Sequence, residues 1–409
     1  MRKKESMEDV INIVFANRKE YDKNRYISRD RYEIELKRAI ERFRYVFITG
    51  ESGSGKTWLA EFYMSSVRGK NNYINLAEVG LAGSLILYLK KLMPEIKTEE
   101  TTSLGADASI PLISGSGEVT STYEINNDFL WEFIKTNRNH IIILDNFESI
   151  IRNEQILNDI SCLITLADDP RMIDYNPKFL IIGTIRDVVK YFQTMPNYQT
   201  IANRVRTVGV NGFNDSETVE YVKKGMTKCG FSSNNMTELA LEIHNITGGL
   251  PQAVNELCYD IAITHFDEGK SEIVPSSQTV YQAKVKWIAG EMVAEYTVIY
   301  GYFIENIKKD PLLNYILYSL SEFKMREFSV SEMRSKAEVI IADIKKSLKV
   351  SKVREYLDIL SDEQNNKNIL IKTNADGYKI KSYKTFACIS IVLDLDVEKN
   401  QVTCVESII

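Results

Sequence analysis

The octapeptide Gly50-Glu51-Ser52-Gly53-Ser54-Gly55-Lys56-Thr57 constrains this chain more than any other stretch. It follows the apolar run Tyr45-Val46-Phe47-Ile48 and leads into a helical pattern from Trp58 to Val67. A buried strand, a glycine-rich turn and a helix, in that order, give G-x-x-x-x-G-K-[ST] its meaning as a phosphate cradle. The glycines let backbone N–H groups converge on an anion, and the helix N-terminus adds partial positive charge. Lys56 is expected to reach the β- and γ-phosphates of ATP, and the Thr57 hydroxyl to hold Mg2+. Trp58 closes the expected nucleotide-binding segment. The competing reading is a flexible Gly/Ser turn.

A length of 409 residues suits two or three domains, and an apolar fraction of 44% supports sizeable cores. No apolar run has the length of a membrane span, so no membrane partner is expected. The charged start Met1-Arg2-Lys3-Lys4-Glu5 lacks the apolar stretch of a signal peptide. Cys162, Cys229, Cys258, Cys388 and Cys404 are scattered without metal-type spacing, as are His140, His244 and His265. They read as reduced thiols and isolated imidazoles of a cytoplasmic protein.

The expected fold class is α/β: a P-loop parallel sheet flanked by helices, then a helical lid and a winged-helix-like domain. Strands are expected at 45–49, 72–76, 140–144, 179–182 and 207–210, with helices at 32–44, 58–67, 81–92, 123–137 and 187–204. Alternating strands and helices imply parallel pairing. Residues 97–122, rich in Ser, Thr and Gly, read as an inserted loop or hairpin that is either a partner contact or a disordered loop. The division is 1–28 as an N-terminal helical segment, 29–212 as the sheet domain, 213–308 as the helical lid and 309–409 as the last domain. In that last part, helices at 312–321, 330–336 and 351–360 precede a hairpin turning at Asn374-Ala375-Asp376-Gly377, and Ala387–Asp394 reads as a strand.

Asp145 ends the apolar run Ile141–Leu144 and is the candidate second magnesium ligand beside Thr57. The strand at 72–76 lies between this run and the phosphate-loop strand in sequence, an interval typical of the P-loop branch that inserts a strand between them. With these residues in hand, most of the chain resembles the AAA+ and STAND-type ATPases, near origin-recognition initiators and transposition- or defence-associated ATPases. The resemblance rests on 50–57, on Ile142-Ile143-Leu144-Asp145-Asn146-Phe147-Glu148 and, more weakly, on Tyr26-Ile27-Ser28-Arg29-Asp30-Arg31.

The resemblance implies further roles. Arg29 would lie near the adenine, and Thr184, or Arg186, would sense the γ-phosphate. Arg204 or Arg206 would act as an arginine finger toward a neighbouring subunit, and Pro251, in Thr247-Gly248-Gly249-Leu250-Pro251, would belong to the lid over the base. It also implies departures. Asn146 stands where many AAA+ enzymes carry the glutamate that orients water, which leaves Glu148 as the nearby carboxylate. No arginine follows Gly248-Gly249 directly.

Between residues 324 and 384 the chain carries 14 Lys/Arg and 9 Asp/Glu, in a protein whose net charge is −5. Lys345, Lys346, Lys349, Lys352 and Arg354 sit before or at the third short helix, and Lys372, Lys379, Lys381 and Lys384 line the hairpin. They suit either phosphate contacts to double-stranded DNA or a solvated protein-contact face. The first functional reading is an oligomerising ATPase switch that uses ATP and Mg2+ and acts on DNA or an effector protein in replication, transposition or antiviral defence. The second is a nucleotide-bound interaction scaffold with little turnover. The third, a kinase, is disfavoured by the long helical lid.

Overall fold

The computed structural model describes residues 6–15, 21–67, 71–94, 128–184, 205–324, 327–341, 348–363, 367–396, 398–399 and 401–406. They form two compact units. One holds the described residues between 20 and 211. The other holds the N-terminal helix and everything described from Gly212 onward. The stretch 97–122, Arg186 and the expected helix 187–204, which ends in Arg204, lie outside the described residues.

The first unit is built on a five-stranded parallel sheet. Its strands are β1 (Tyr45–Thr49), β2 (Asn71–Asn75), β3 (Ile141–Asp145), β4 (Lys178–Gly183) and β5 (Val205–Gly209), in the order β2-β3-β4-β1-β5. β1 and β3 are buried at every position. Strands covered on both faces have no solvent side to favour alternation, so they read as unbroken apolar runs. Alternate residues feed two cores. Val46, Ile48, Ile143, Leu180 and Val208 face the helices α2 (Asp30–Arg42) and α3 (Lys56–Ser66). Tyr45, Phe47, Leu144, Phe179 and Ile181 pack with apolar residues of α4 (Leu76–Ala82), α5 (Leu85–Leu92), α6 (128–136) and α7 (Glu154–Ala167).

In the sheet, β4 lies between β1 and β3 although it follows both in sequence, and β2 forms the edge. One expectation is corrected here. The single helix expected over 81–92 is two helices. Gly83, at φ 77°, ends α4 in the left-handed region, and the Ser84 side chain then caps α5 by accepting from the Leu87 N–H. Asp159 of α7 fixes the new start. Its Oδ2 accepts from Ser84 Oγ at 2.7 Å and from the Leu85 N–H at 2.9 Å, a buried anion at a helix N-terminus.

The second unit opens with α1 (Met7–Val14), which packs on α8 (Asp215–Lys228) and α10 (Pro251–Asp267). Phe15 is buried against Gly225, where an added Cβ would lie 2.6 Å from its ring. α9 (Met236–Thr247), α11 (Gln278–Glu291), α12 (Val293–Lys309) and α13 (Pro311–Ser319) extend the helical array. Beyond them, β6 (Phe328–Ser329), α14 (Val330–Ile341), α15 (Val350–Ser361), β7 (Leu370–Lys372) and β8 (Gly377–Ile380) follow in order. The strands form an antiparallel sheet, β6-β8-β7, with the expected turn before Gly377.

The strand expected over 387–394 is instead mostly the helix α16 (Tyr383–Val392), followed by β9 (Leu393–Asp396) paired with β10 (Gln401–Cys404). β-branched content pointed to a strand, but burial on several sides of the segment decides for helix, started by Ser382 accepting from the Thr385 N–H. Replacing the buried Asp159 by alanine strands the N–H groups at the start of α5. We expect Asp159→Ala to lower unfolding free energy by about 2 kcal/mol, seen as an earlier urea midpoint with unchanged slope. An unmoved midpoint would refute this account of the α4–α5 break.

Candidate phosphate and cation site

The carboxyl ends of β1, β3 and β4 meet at one edge of the sheet, the edge where open α/β sheets carry their ligands. The phosphate loop leaves β1 there. Gly53 and Gly55 adopt φ of 77° and 85°, and Gly55 is the residue just before α3. Gly50 is forced by contact rather than by φ. A Cβ on it would stand 2.1 Å from the Val210 carbonyl oxygen, because the Val210 N–H donates to Thr49 O at 2.7 Å and ties the loop to the segment after β5. The Ser54 N–H closes the turn on Glu51 O at 3.2 Å, while Ser52 is exposed. Ser54 Oγ is buried and has no hydrogen-bond partner among the described residues.

Lys56 is 9% exposed and donates to Gly50 O at 3.1 Å and Glu51 O at 2.8 Å. Burial pulls its pKa below the ordinary lysine value, while the negative charges of Glu148, Asp145 and Glu51 pull the other way. Loop carbonyls thus hold the ammonium in the cradle. Arg29 lies under the loop, 3% exposed, donating to Ser54 O at 2.9 Å and to the Asn211 carbonyl, with its guanidinium 4.6 Å from the Tyr32 ring centre. Trp58 meets Tyr21 edge-on at 5.7 Å and Arg25 at 5.5 Å. Tyr26 stacks on Phe62 at 4.6 Å. Trp58 and Tyr26 both stand in segments singled out from the sequence, but only the i,i+4 spacing of Trp58 and Phe62 hints that these rings cluster.

Asp145 is 6% exposed. Its Oδ2 accepts from Thr57 Oγ1 at 3.1 Å and from Tyr73 Oη at 2.9 Å, and its Oδ1 from the Asn146 N–H at 2.7 Å. Tyr73 was missed by sequence reasoning. Burial, then the Asp145 charge, raises its pKa, so the phenol is a donor across the neutral range. Burial also raises Glu61, one helical turn after Thr57, with Asp145 adding to the effect. Asn146 sits at φ 62° and donates through its amide to Asn75 Oδ1 at 2.9 Å. The short 3-10 turn Phe147–Ser149 follows, and Glu148 Oε2 there accepts the Thr184 N–H at 3.1 Å. The structure therefore brings together Gly50 to Thr57, Asp145, Asn146, Glu148 and Thr184 at one edge, with Arg29 beneath.

Pro251 is in the second unit, at the first position of α10. It follows a turn in which Gly248 and Gly249 have φ of 61° and 68°, and Phe213 N–H donates to Gly249 O at 2.6 Å. Arg206 is an exposed residue of β5. Lys345 and Lys346 lie outside the described residues. Several of the other cations counted for the last domain have internal partners. Lys352 pairs with Glu355 at 2.8 Å and Asp310 at 3.4 Å, and Arg354 with Asp376 at 2.7 Å. Lys372 pairs with Asp358 at 2.6 Å, while Lys381 donates to Asn368 at 2.8 Å and Lys384 to Glu291 O at 2.9 Å. Lys349 and Lys379 are the exposed and half-buried remainder.

The donor set suits a polyphosphate with a hard cation. Thr57 Oγ1 and Asp145 Oδ2 are adjacent oxygen donors of the kind Mg2+ accepts. The Lys56 ammonium and the helix N-terminus are the positive groups facing them.

Residues 41–191 match the family model described as an AAA domain. No curated protein matches the sequence. Among solved structures, the chain is similar to the Aeropyrum pernix ORC2 protein in its ADPNP–ADP complexes, at 14% identity, with 92% of this chain and 96% of that chain covered and a TM-score of 0.52. It is also similar to the Walker-type ATPase PABY2304 of Pyrococcus abyssi, at 15% identity, 92% and 99% coverage and a TM-score of 0.49. Drosophila ORC bound to DNA matches at 10% identity, 95% and 93% coverage and a TM-score of 0.43. The first likeness supports the fold: a parallel five-stranded sheet flanked by helices, with a helical C-terminal region. No helix among the described residues is long and apolar enough to cross a membrane.

The contact at Gly50 generates a test. Gly50→Ala puts a methyl into the Val210 carbonyl, so the loop must move off the sheet. We expect a loss of about 2 kcal/mol in stability, read by thermal melting, together with weakened nucleotide binding. A variant with wild-type melting and binding would show that the close approach is not required.

Proposed function

We propose that this chain is an ATP-dependent switch of the AAA+ kind, and the observation that carries this reading is the Thr57–Asp145 contact at 3.1 Å beside the Lys56 ammonium. Backbone N–H groups of 50–57 cradle the phosphates and Lys56 neutralises them. Thr57 and Asp145 hold Mg2+, which when bound spreads the charge that builds on the transferred phosphoryl group. Glu148 orients the attacking water, and the Thr184 N–H fixes its carboxylate. Asn146 cannot accept that proton, and its amide is engaged with Asn75. Arg29 holds the loop in shape from behind. Trp58 and its aromatic neighbours border the nucleoside, and Pro251 begins the helix of the lid.

In this reading, 29–212 is the ATPase domain, 213–308 the lid and 309–409 a winged-helix-like domain, since α13, β6, α14, α15, β7 and β8 follow in that order and the three strands form one antiparallel sheet. ATP favours a homo-oligomer in which Arg204 of one copy reaches the γ-phosphate held by the next. The last domain then engages DNA or an effector protein. The ion pairs of Lys352, Arg354 and Lys372 favour the effector, because phosphates would first have to displace carboxylates already in place. A second reading, a nucleotide-bound scaffold with little turnover, is favoured by Asn146 alone.

Phosphate release and nucleotide binding separate the two. Lys56→Ala should lose nucleotide binding, and Asp145→Ala should bind but not turn over. Glu148→Gln should keep binding and lose roughly 100-fold in turnover, as expected for removal of a general base. If the wild type binds ATP yet releases phosphate no faster than Asp145→Ala, the scaffold reading stands. Particle mass tests assembly: a non-hydrolysable ATP analogue should convert a smaller species to a larger one, and an unchanged monomer would remove the oligomeric part.

A further inference from the structure

Tyr73 has no place in the roles above, yet it makes one of the two hydroxyl contacts to Asp145 Oδ2. It lies on the edge strand β2, in register with Ile143, two residues before the Asn75–Asp145 pair. Side chains two apart share a sheet face, so Tyr73, Asn75, Ile143 and Asp145 lie on one face, the face on which Ile143 packs with residues of α2 and α3. A phenol is long enough to span that diagonal; a serine or threonine in the same place would fall short. Unlike its neighbours, Tyr73 is 46% exposed, so packing alone does not account for its orientation.

We propose that Tyr73 is a positioning residue for the cation: its hydroxyl fixes the Asp145 carboxylate so that Oδ2 stays against Thr57 Oγ1. This rests on the reading of Thr57 and Asp145 as the Mg2+ pair. A carboxylate oxygen accepts about two hydrogen bonds in its plane, and Oδ2 receives two hydroxyls while Oδ1 receives the Asn146 N–H. Removing the phenol hydroxyl leaves Oδ2 with the Thr57 hydroxyl alone, so the carboxylate is held less firmly against Thr57.

The test is a MgCl2 titration of the binding of a fluorescent ADP analogue to the full chain, for wild type, Tyr73→Phe and Thr57→Ala. Tyr73→Phe should raise the half-saturating Mg2+ concentration about tenfold, the usual effect of losing a group that orients a metal ligand, and leave affinity in EDTA unchanged. A role confined to holding β2 on the sheet would lower the melting midpoint and not move the titration, which would overturn the proposal. A reduced Mg2+ requirement would overturn it as well, since the hydroxyl would then compete with the cation. Wild-type binding indifferent to Mg2+ and to Thr57→Ala would instead remove the cation-site reading and this proposal with it.

Discussion

The tie between the end of β1 and the segment after β5 is the constraint on which the site depends. The Val210 N–H donates to Thr49 O, and the chain can then turn away only through a residue without a side chain. Gly50 meets that need by size, and Gly53 and Gly55 meet the next by accepting positive φ. The loop so shaped delivers Lys56 and Thr57 as the first residues of α3. Arg29 completes the support from below by taking up the Ser54 and Asn211 carbonyls. A guanidinium buried under a loop of carbonyls replaces the hydration those groups lose. The same contact is why its side chain is part of the scaffold rather than an exposed arm.

Much of this was legible in the sequence because the constraints are local. Strands buried on both faces announce themselves as Tyr45–Ile48, Ile141–Leu144 and Phe179–Ile182, and the spacing of Gly50, Gly55, Lys56 and Thr57 defines its own geometry. What was not legible depends on neighbours far away in the chain. Ile389, Ile391 and Val392 have strand chemistry, and only surrounding helices that bury them make α16 the better solution. Leu81 to Leu92 keeps a helical rhythm across Gly83, and the break is confirmed by a carboxylate, Asp159, that lies 75 residues beyond Ser84. Tyr73 escaped notice because a lone tyrosine on a strand normally signals a half-buried surface, and its partner Asp145 is 72 residues away.

The basic C-terminal segment shows the limit of counting charges. Its excess of lysine and arginine is real, but a cation already paired offers a phosphate an exchange instead of a vacant site. Exposed pairs of this kind are individually worth little, about 0–1 kcal/mol. Their larger effect is geometric: Arg354 joins α15 to the turn before β8 through both Ala375 O and Asp376, and Lys372 joins β7 back to Asp358 of α15. The hairpin and the helix are thus fastened into one surface.

The position of the Glu148 carboxylate follows from one backbone angle. A glutamate directly after Asp145 would follow an extended strand and point from its end. In this chain that position is Asn146 in the left-handed region, a conformation asparagine tolerates and glutamate resists. The turn it starts winds Phe147 into the core and carries Glu148 back over β4, where Gly183 leaves room for it and the Thr184 N–H receives it. An added Cβ at Gly183 would stand 3.3 Å from Glu148 Oε2, so the two positions are matched in size. Asn146, Glu148 and Gly183 therefore form one solution to the placement of a carboxylate near Lys56. Exchanging Asn146 for glutamate would not recreate the commoner arrangement, because the backbone that aims Glu148 would be lost with it.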